Sequence, residues 1–508
     1  MRAQRLVPLI AVTVLATLAP ALYSVEPASA ASALDRYIRQ TPVWQSCADT
    51  TPDFQCATIE VPLDYQTPGG RAIDLEISRL TAGDPVKRRG VLLLNPGGPG
   101  AGGLGMPLEM TTAMPKSVTD RYDLIGFDPR GVGQSSPLSC RTTEDERKWL
   151  RPFREKAFSQ QVAWARTIAS KCRTESSDRM RYTTTRNTAR DMDIIRAVLG
   201  EQKISYFGYS YGTYLGAVYG QLFPRRTDRF VLDSAIDPEL IWRGTFQKWA
   251  SEAEPAFQRW AEWTAERHTT YRLGDTRDEV IRTFWGLVDR ADREPIVWGE
   301  HSLTGADIRD LFRGTFFSPR IGAGYMADLK RAAEGEPVPA LPELKPVSDN
   351  AVAALYALLC GDSRSWPRDP QTYRRDAYHD AGRYPLYGDH PSNVSPCAFW
   401  TKAIEPATKI NHGGSALILH NEWDSQTPLS TGIAMHKALK GSRLVTVDEG
   451  EGHGVYDLSG NVCAETAANA YLVSGRLPAS NLNCPSPSEP ERTGTLPGPS
   501  NPLTPGFS

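Results

Sequence analysis

The sequence predicts an α/β fold: an open, mostly parallel sheet carrying a helical cap insertion. Three observations predict it. Short apolar, β-branched runs recur along the chain, and segments with helical periodicity separate them. One stretch of more than 150 residues then abandons the alternation and reads as helix.

The elements follow in order. Thr58 to Val61 and Ala72 to Ile77 read as an early hairpin. Val91-Leu92-Leu93-Leu94 lies between Gly90 and Asn95-Pro96, as expected of a strand buried on both faces. Tyr122 to Phe127, Ile204 to Phe207, Phe230 to Leu232, Ala416 to Leu419 and Leu444 to Val447 repeat it. Thr188 to Leu199 places Met192, Ile195, Val198 and Leu199 at helical spacing. Between about Asp237 and Ser395 the chain is rich in Trp, Arg and Glu, and amphipathic stretches such as Ala351 to Leu359 mark helices. The expected organisation is 31–236 as the first part of the core, 237–395 as the helical insertion, and 396–484 as the rest of the core.

The ends stand outside that fold. Residues 1–30 read as a secretory signal: Arg2 and Arg5 precede the mostly apolar Leu6 to Leu22, and Ala28-Ser29-Ala30 supplies small residues for cleavage. Cleavage would leave no membrane-spanning run. Residues 485–508 hold seven prolines in 24 positions and read as an extended, solvated tail.

Composition narrows the function. With 508 residues, 40% apolar, the chain can bury a large core. Its 57 basic and 59 acidic side chains offer no excess of positive charge for a nucleic acid. All eight cysteines (47, 56, 140, 172, 360, 397, 463, 484) lie after the signal, and an exported chain would oxidise them. Eight cysteines allow 105 connectivities. The expected one joins neighbours: 47–56, 140–172, 360–397 and 463–484. None forms a Cys-x-x-Cys, so no zinc site is expected, nor any cofactor.

Gly208-Tyr209-Ser210-Tyr211-Gly212 is the one G-x-S-x-G of the chain. A strand pattern precedes it and a helix pattern, Thr213 to Gly220, follows. A tight turn there exposes the serine oxygen at the sheet's C-terminal edge, and the helix N-terminus directs N–H groups at developing negative charge. Ser210 is the candidate nucleophile. Gly212, Gly216 and Gly220 share a helix face and should allow close packing on the sheet. A serine needs a base, and the base needs an orienting acid. Asp424 follows the Ala416 to Leu419 strand, with Glu422 as its main rival; His453 follows the next strand in a Gly-flanked loop. Asn95-Pro96-Gly97-Gly98-Pro99-Gly100 follows the Val91 strand. Its Gly98 N–H, or less favourably that of Gly97, would join the Tyr211 N–H as an oxyanion hole. Gly98 to Gly103 also satisfies G-x-G-x-x-G, with Asp128 ending the next strand, but Pro96 and Pro99 remove donors that a dinucleotide would need.

Together, Asn95 to Gly100, Phe127-Asp128-Pro129-Arg130-Gly131, Gly208 to Thr213, and Asp424 with Thr427-Pro428 resemble the secreted bacterial tripeptidyl aminopeptidases. These are α/β-hydrolase serine peptidases related to prolyl aminopeptidases. The likeness runs from about Trp44 to Cys484 and includes the family's C-terminal segment. Pro96 stands where prolyl aminopeptidases place a His, which argues against strict proline release. The resemblance implies release of tripeptides or other short peptides from free N-termini; a monomer is expected. A carboxylate roughly 10 Å from Ser210, three extended residues away, would then pair with the substrate's ammonium. Glu239, Glu252, Glu254 and Asp362 are the candidates. The alternatives are a carboxylesterase or lipase with the same three residues, a prolyl aminopeptidase, and a non-catalytic binding protein.

Overall fold

The computed structural model describes residues 30–47, 50–148, 151–315, 319–341 and 347–486. The expected signal, apart from Ala30, and the tail beyond residue 486 lie outside the described residues. Ten strands form one sheet: β1 (Gln45–Ser46), β2 (Gln55–Pro62), β3 (Ala72–Leu80), β4 (Gly90–Asn95), β5 (Tyr122–Phe127), β6 (Ile204–Tyr209), β7 (Thr227–Asp233), and, beyond a separate hairpin of β8 (Ile296–Trp298) and β9 (His301–Leu303), β10 (Ala416–Trp423), β11 (Arg443–Glu451) and β12 (Leu482–Cys484). Their order is β1-β2-β3-β5-β4-β6-β7-β10-β11-β12. β1, β2 and β3 pair antiparallel at one edge, and every pairing from β5 to β12 is parallel.

The apolar runs are continuous because both faces of these strands are covered. Along β4, Val91 and Leu93 enter one core while Leu92 and Leu94 enter the other. Ile418 and its neighbours Leu417 and Leu419 divide the same way along β10. Such alternation with no polar face is what helices on both sides of a parallel sheet require. Under one face, Arg130 and Asp191 form a fully buried pair at 2.7 and 2.5 Å. Arg130 also donates to the carbonyls of Pro62, Leu63 and Tyr182, so its charge is satisfied on every side.

The strand order turns at β4, with β5 on one side and β6 on the other. The loops after β4 and β6 therefore diverge and leave a crevice at the sheet's C-terminal edge. Between β7 and β10 the chain leaves the sheet and forms the helices Arg243–Ala265, Arg277–Arg293, Gly305–Thr315, Pro319–Ala333, Asp349–Gly361 and Pro370–Arg383. Phe257, Trp260, Phe284 and Phe312 cluster in their midst with centroids 4.5–6.4 Å apart, Phe257 stacked on Trp260 and Phe312 edge-on to both. The β8–β9 hairpin, three residues a strand, lies within this largely helical insertion; runs that short carry no periodicity. The cysteines pair as neighbours: 47–56, 140–172, 360–397 and 463–484.

Candidate active site

Ser210 alone turns β6 into the helix Tyr211–Leu222. It sits at φ 52°, ψ −117°, a backbone conformation that a side chain rarely adopts. The bend is over-determined. The Ser210 N–H donates to the Asp233 carbonyl at 2.9 Å, and Thr213 donates its N–H (2.9 Å) and hydroxyl (2.6 Å) to the Ser210 carbonyl. The β4 loop lies directly against this turn. A Cβ on Gly97 would stand 2.8 Å from the Tyr209 carbonyl and 3.1 Å from the Ser210 Cβ, so only glycine fits. The Gly97 N–H is committed to Asn95 Oδ1 at 3.1 Å, which makes Gly98 the next donor along the loop. Of the three helix glycines, Gly216 packs on Tyr206 and Leu232 of the sheet, whereas Gly220 faces His412 instead.

Asp424 follows β10 immediately and is buried. Its Oδ1 accepts the N–H groups of Gln426 (2.8 Å) and Thr427 (3.0 Å). Its Oδ2 accepts the Thr427 hydroxyl and His453 Nδ1, both at 2.8 Å. Burial alone would raise this carboxyl's pKa; the adjoining His453 charge and its hydrogen bond outweigh that and hold it below the ordinary carboxylate value. The ionised acid assigns the His453 proton to Nδ1, leaving Nε2 as the basic nitrogen. Glu422, the rival acid, accepts the Glu449 N–H at 2.8 Å.

Asp233, at the end of β7, joins the two halves of this arrangement. Its carbonyl holds Ser210, while its carboxylate accepts the N–H groups of Val455 (2.9 Å) and Tyr456 (2.8 Å), just past His453. Beside it, the Ser234 hydroxyl accepts the Gly454 N–H at 2.8 Å. Asn421 donates to the carbonyls of Gly452 and Gly454 from the other side. Burial pushes the Asp233 carboxyl up to about 7, against those donors and the His453 charge. Sequence reasoning passed over Asp233. The available signal was an acidic residue closing a buried apolar strand, where only a tethering role justifies its desolvation.

Of the candidate amine partners, Glu239 is exposed and Glu252 half-buried. Glu254 accepts the Leu386 N–H at 2.8 Å. Asp362 is buried and engaged by Thr185, through its N–H (2.7 Å) and hydroxyl (2.6 Å), and by Trp242 Nε1 (3.2 Å). Thr185 in turn meets the Tyr211 hydroxyl at 2.8 Å, so Asp362 braces the residue after Ser210. Asp128 spends its carboxylate on the N–H groups of Gly103, Leu104 and Gln134, away from any ribose-binding role. Among the described residues no cluster of His, Cys, Asp or Glu has the geometry of a metal site.

Comparison with known proteins places the fold and the family. A family model described as the alpha/beta hydrolase fold matches residues 90–293, and one described as TAP-like protein matches 384–484. The chain is 34% identical to a tripeptidyl aminopeptidase of Streptomyces lividans, over 90% of this chain and 89% of that one. The chain belongs to the tripeptidyl aminopeptidase family. It is an α/β-hydrolase-fold serine peptidase. It is also 29% identical to the serine protease Hip1 of Mycobacterium tuberculosis, over 87% of this chain and 90% of that one. A carboxylesterase B of the same organism is 30% identical, over 87% of this chain and 89% of that one.

Proposed function

We propose that this peptidase releases tripeptides, or other short peptides, from free N-termini through an acyl-enzyme on Ser210. The observation that carries the reading is the Asp424–His453 pair at 2.8 Å, in a loop tethered by Asp233 and Ser234 to the strand end that also holds Ser210. Ser210 Oγ attacks the carbonyl carbon and its proton passes to His453 Nε2. The N–H groups of Tyr211, in the first helical turn, and Gly98 donate to the oxyanion. Collapse expels the amine of the remaining peptide, which takes the proton from His453; water then repeats the sequence on the ester. Asp424 keeps the Nδ1 tautomer and stabilises the imidazolium. Four disulfides support a site of action outside the reducing cytoplasm.

A mixed peptide pool tests this. Mass spectrometry should find fragments shortened from the N-terminus in steps of three residues, and the same pool should survive when N-acetylated. Internal cuts would overturn the exopeptidase reading. The carboxylesterase B relative favours a second reading, ester hydrolysis at the same serine. Turnover of simple esters with the whole peptide pool left intact would establish it.

A further inference from the structure

Two arginines of the insertion reach across to the loops that carry the acid and the base. Arg259, on helix Arg243–Ala265, donates its Nε–H to Glu451 Oε1 at 3.0 Å. Glu451 ends β11, two residues before His453. The same guanidinium lies over the Trp423 ring, 4.6 Å from its centroid. Trp423 ends β10, one residue before Asp424. Trp423 and Glu451 are register partners, paired just past the irregularity that follows Asn421. One cation therefore meets both strands where their regular ladder gives way and the two loops depart.

Arg313, on helix Gly305–Thr315, holds the acid loop itself. It donates to Gln426 Oε1, and the Gln426 N–H donates to Asp424 Oδ1 at 2.8 Å. Its guanidinium is buried between the rings of Trp249 (3.9 Å) and Tyr387 (4.8 Å), both in the insertion. Burying a cation and bonding it to a neutral amide is costly. An unbranched apolar side chain would fill the same slot between two rings without desolvating a charge. What the guanidinium adds is a directed donor, and that donor goes to the residue whose backbone orients Asp424. The sheet tethers the His453 loop through Asp233 and Ser234; the arginines add a hold from the inserted helices.

We propose that Arg259 and Arg313 are positioning residues for catalysis, through which the insertion keeps the Asp424 and His453 loops in the geometry that activates Ser210. The inference rests on the roles given to Ser210, His453 and Asp424 in the proposed function, and not on the length of peptide released. Each arginine acts through a neighbour, Arg259 through Glu451 and Trp423, Arg313 through Gln426. Loss of either therefore slows attack by Ser210 on any electrophile, including one too small to meet the inserted helices.

The test reads the second-order rate constant for labelling of Ser210 by a small alkyl fluorophosphonate, beside kcat and KM for a tripeptidyl anilide. Arg259→Met and Arg313→Met should each label about 10- to 10²-fold more slowly than wild type, with a matching fall in kcat and KM within about threefold. Arg259→Lys and Arg313→Lys keep the charge and should recover part of the rate. Circular dichroism under the assay conditions gives the folded fraction, and rates are taken per folded molecule. If a Met variant does not fold, its Lys variant decides: slower labelling than wild type supports the assignment, and a wild-type rate overturns it. A wild-type labelling rate with a raised KM makes the arginine a substrate contact and overturns the positioning role. Slow labelling confined to one arginine's variants overturns the assignment of the other. A wild type that does not label at Ser210 overturns the catalytic reading and this inference together. A wild type that labels, with both Met variants equally fast, overturns only the inference.

Discussion

The sheet and the inserted helices spend their polar side chains differently. At the sheet's C-terminal edge, side chains hold main chain: Asn95 takes the Gly97 N–H, Asp128 those of Gly103 and Leu104, and Asp233 those of Val455 and Tyr456. In the insertion, side chains also hold one another: Arg309 with Asp389, Asp389 with His390, Arg243 with Asp376. The difference teaches how labour is divided. A main-chain tether fixes where a whole loop runs, which the proposed chemistry at Ser210 needs. A network of side chains places charges relative to one another without fixing the loops that carry them. Loss of the first kind should show in kcat, and loss of the second in KM.

Four further changes would break or sharpen that contrast. The largest effect belongs to Ser210→Ala, expected to lower turnover by at least about 10⁴-fold while the thermal melt stays in place. Appreciable activity in that variant would remove the sheet edge from the chemistry. Next is Arg130→Ala, which leaves Asp191 buried and unpaired under the sheet. It should cost about 3–5 kcal/mol in a urea titration, whereas specific activity of the folded fraction should hold; a cost near zero would mean that Asp191 is not ionised. The insertion offers a counterpart in the Cys360–Cys397 bridge, which ties helix Asp349–Gly361 to the segment leading back to β10. Replacing both with Ser should cost about 2–4 kcal/mol, read by the same titration under oxidising conditions.

The smallest effect, taken per pH unit, is a slope. Asp233 is raised to about 7 in the fold, above its unfolded value, so the folded state binds the extra proton. Its contribution therefore favours folding at low pH and is lost as pH rises from about 4 to about 7, by at most about 1.4 kcal/mol per unit. Urea midpoints of wild type and Asp233→Asn at pH 4.5 and 7.5 check the sign: wild type should lose more ground over that interval than the variant. Parallel slopes would show that Asp233 does not titrate there.

Much of this was legible in the chain before folding. The buried strands announced themselves because parallel strands covered on both faces need unbroken apolar runs, as in Val91 to Leu94. The elbow was legible because Gly208 and Gly212 flank a serine between a strand and a helix pattern. Asp424 and His453 followed from their places after later strands. The same reasoning missed Asp233, which reads as a strand's last residue.

The sequence by itself determined the layers, the order of strands and helices, and the residues able to supply a nucleophile, a base and an acid, because periodicity and chain order are local properties. Only the tertiary structure decided which carboxylates are already spent. Glu254 and Asp362 are consumed by donors that lie 120 to 177 residues away along the chain, and Asp128 by donors on both sides of it. Whether a charge is satisfied depends on neighbours brought together by folding, and no local pattern records them.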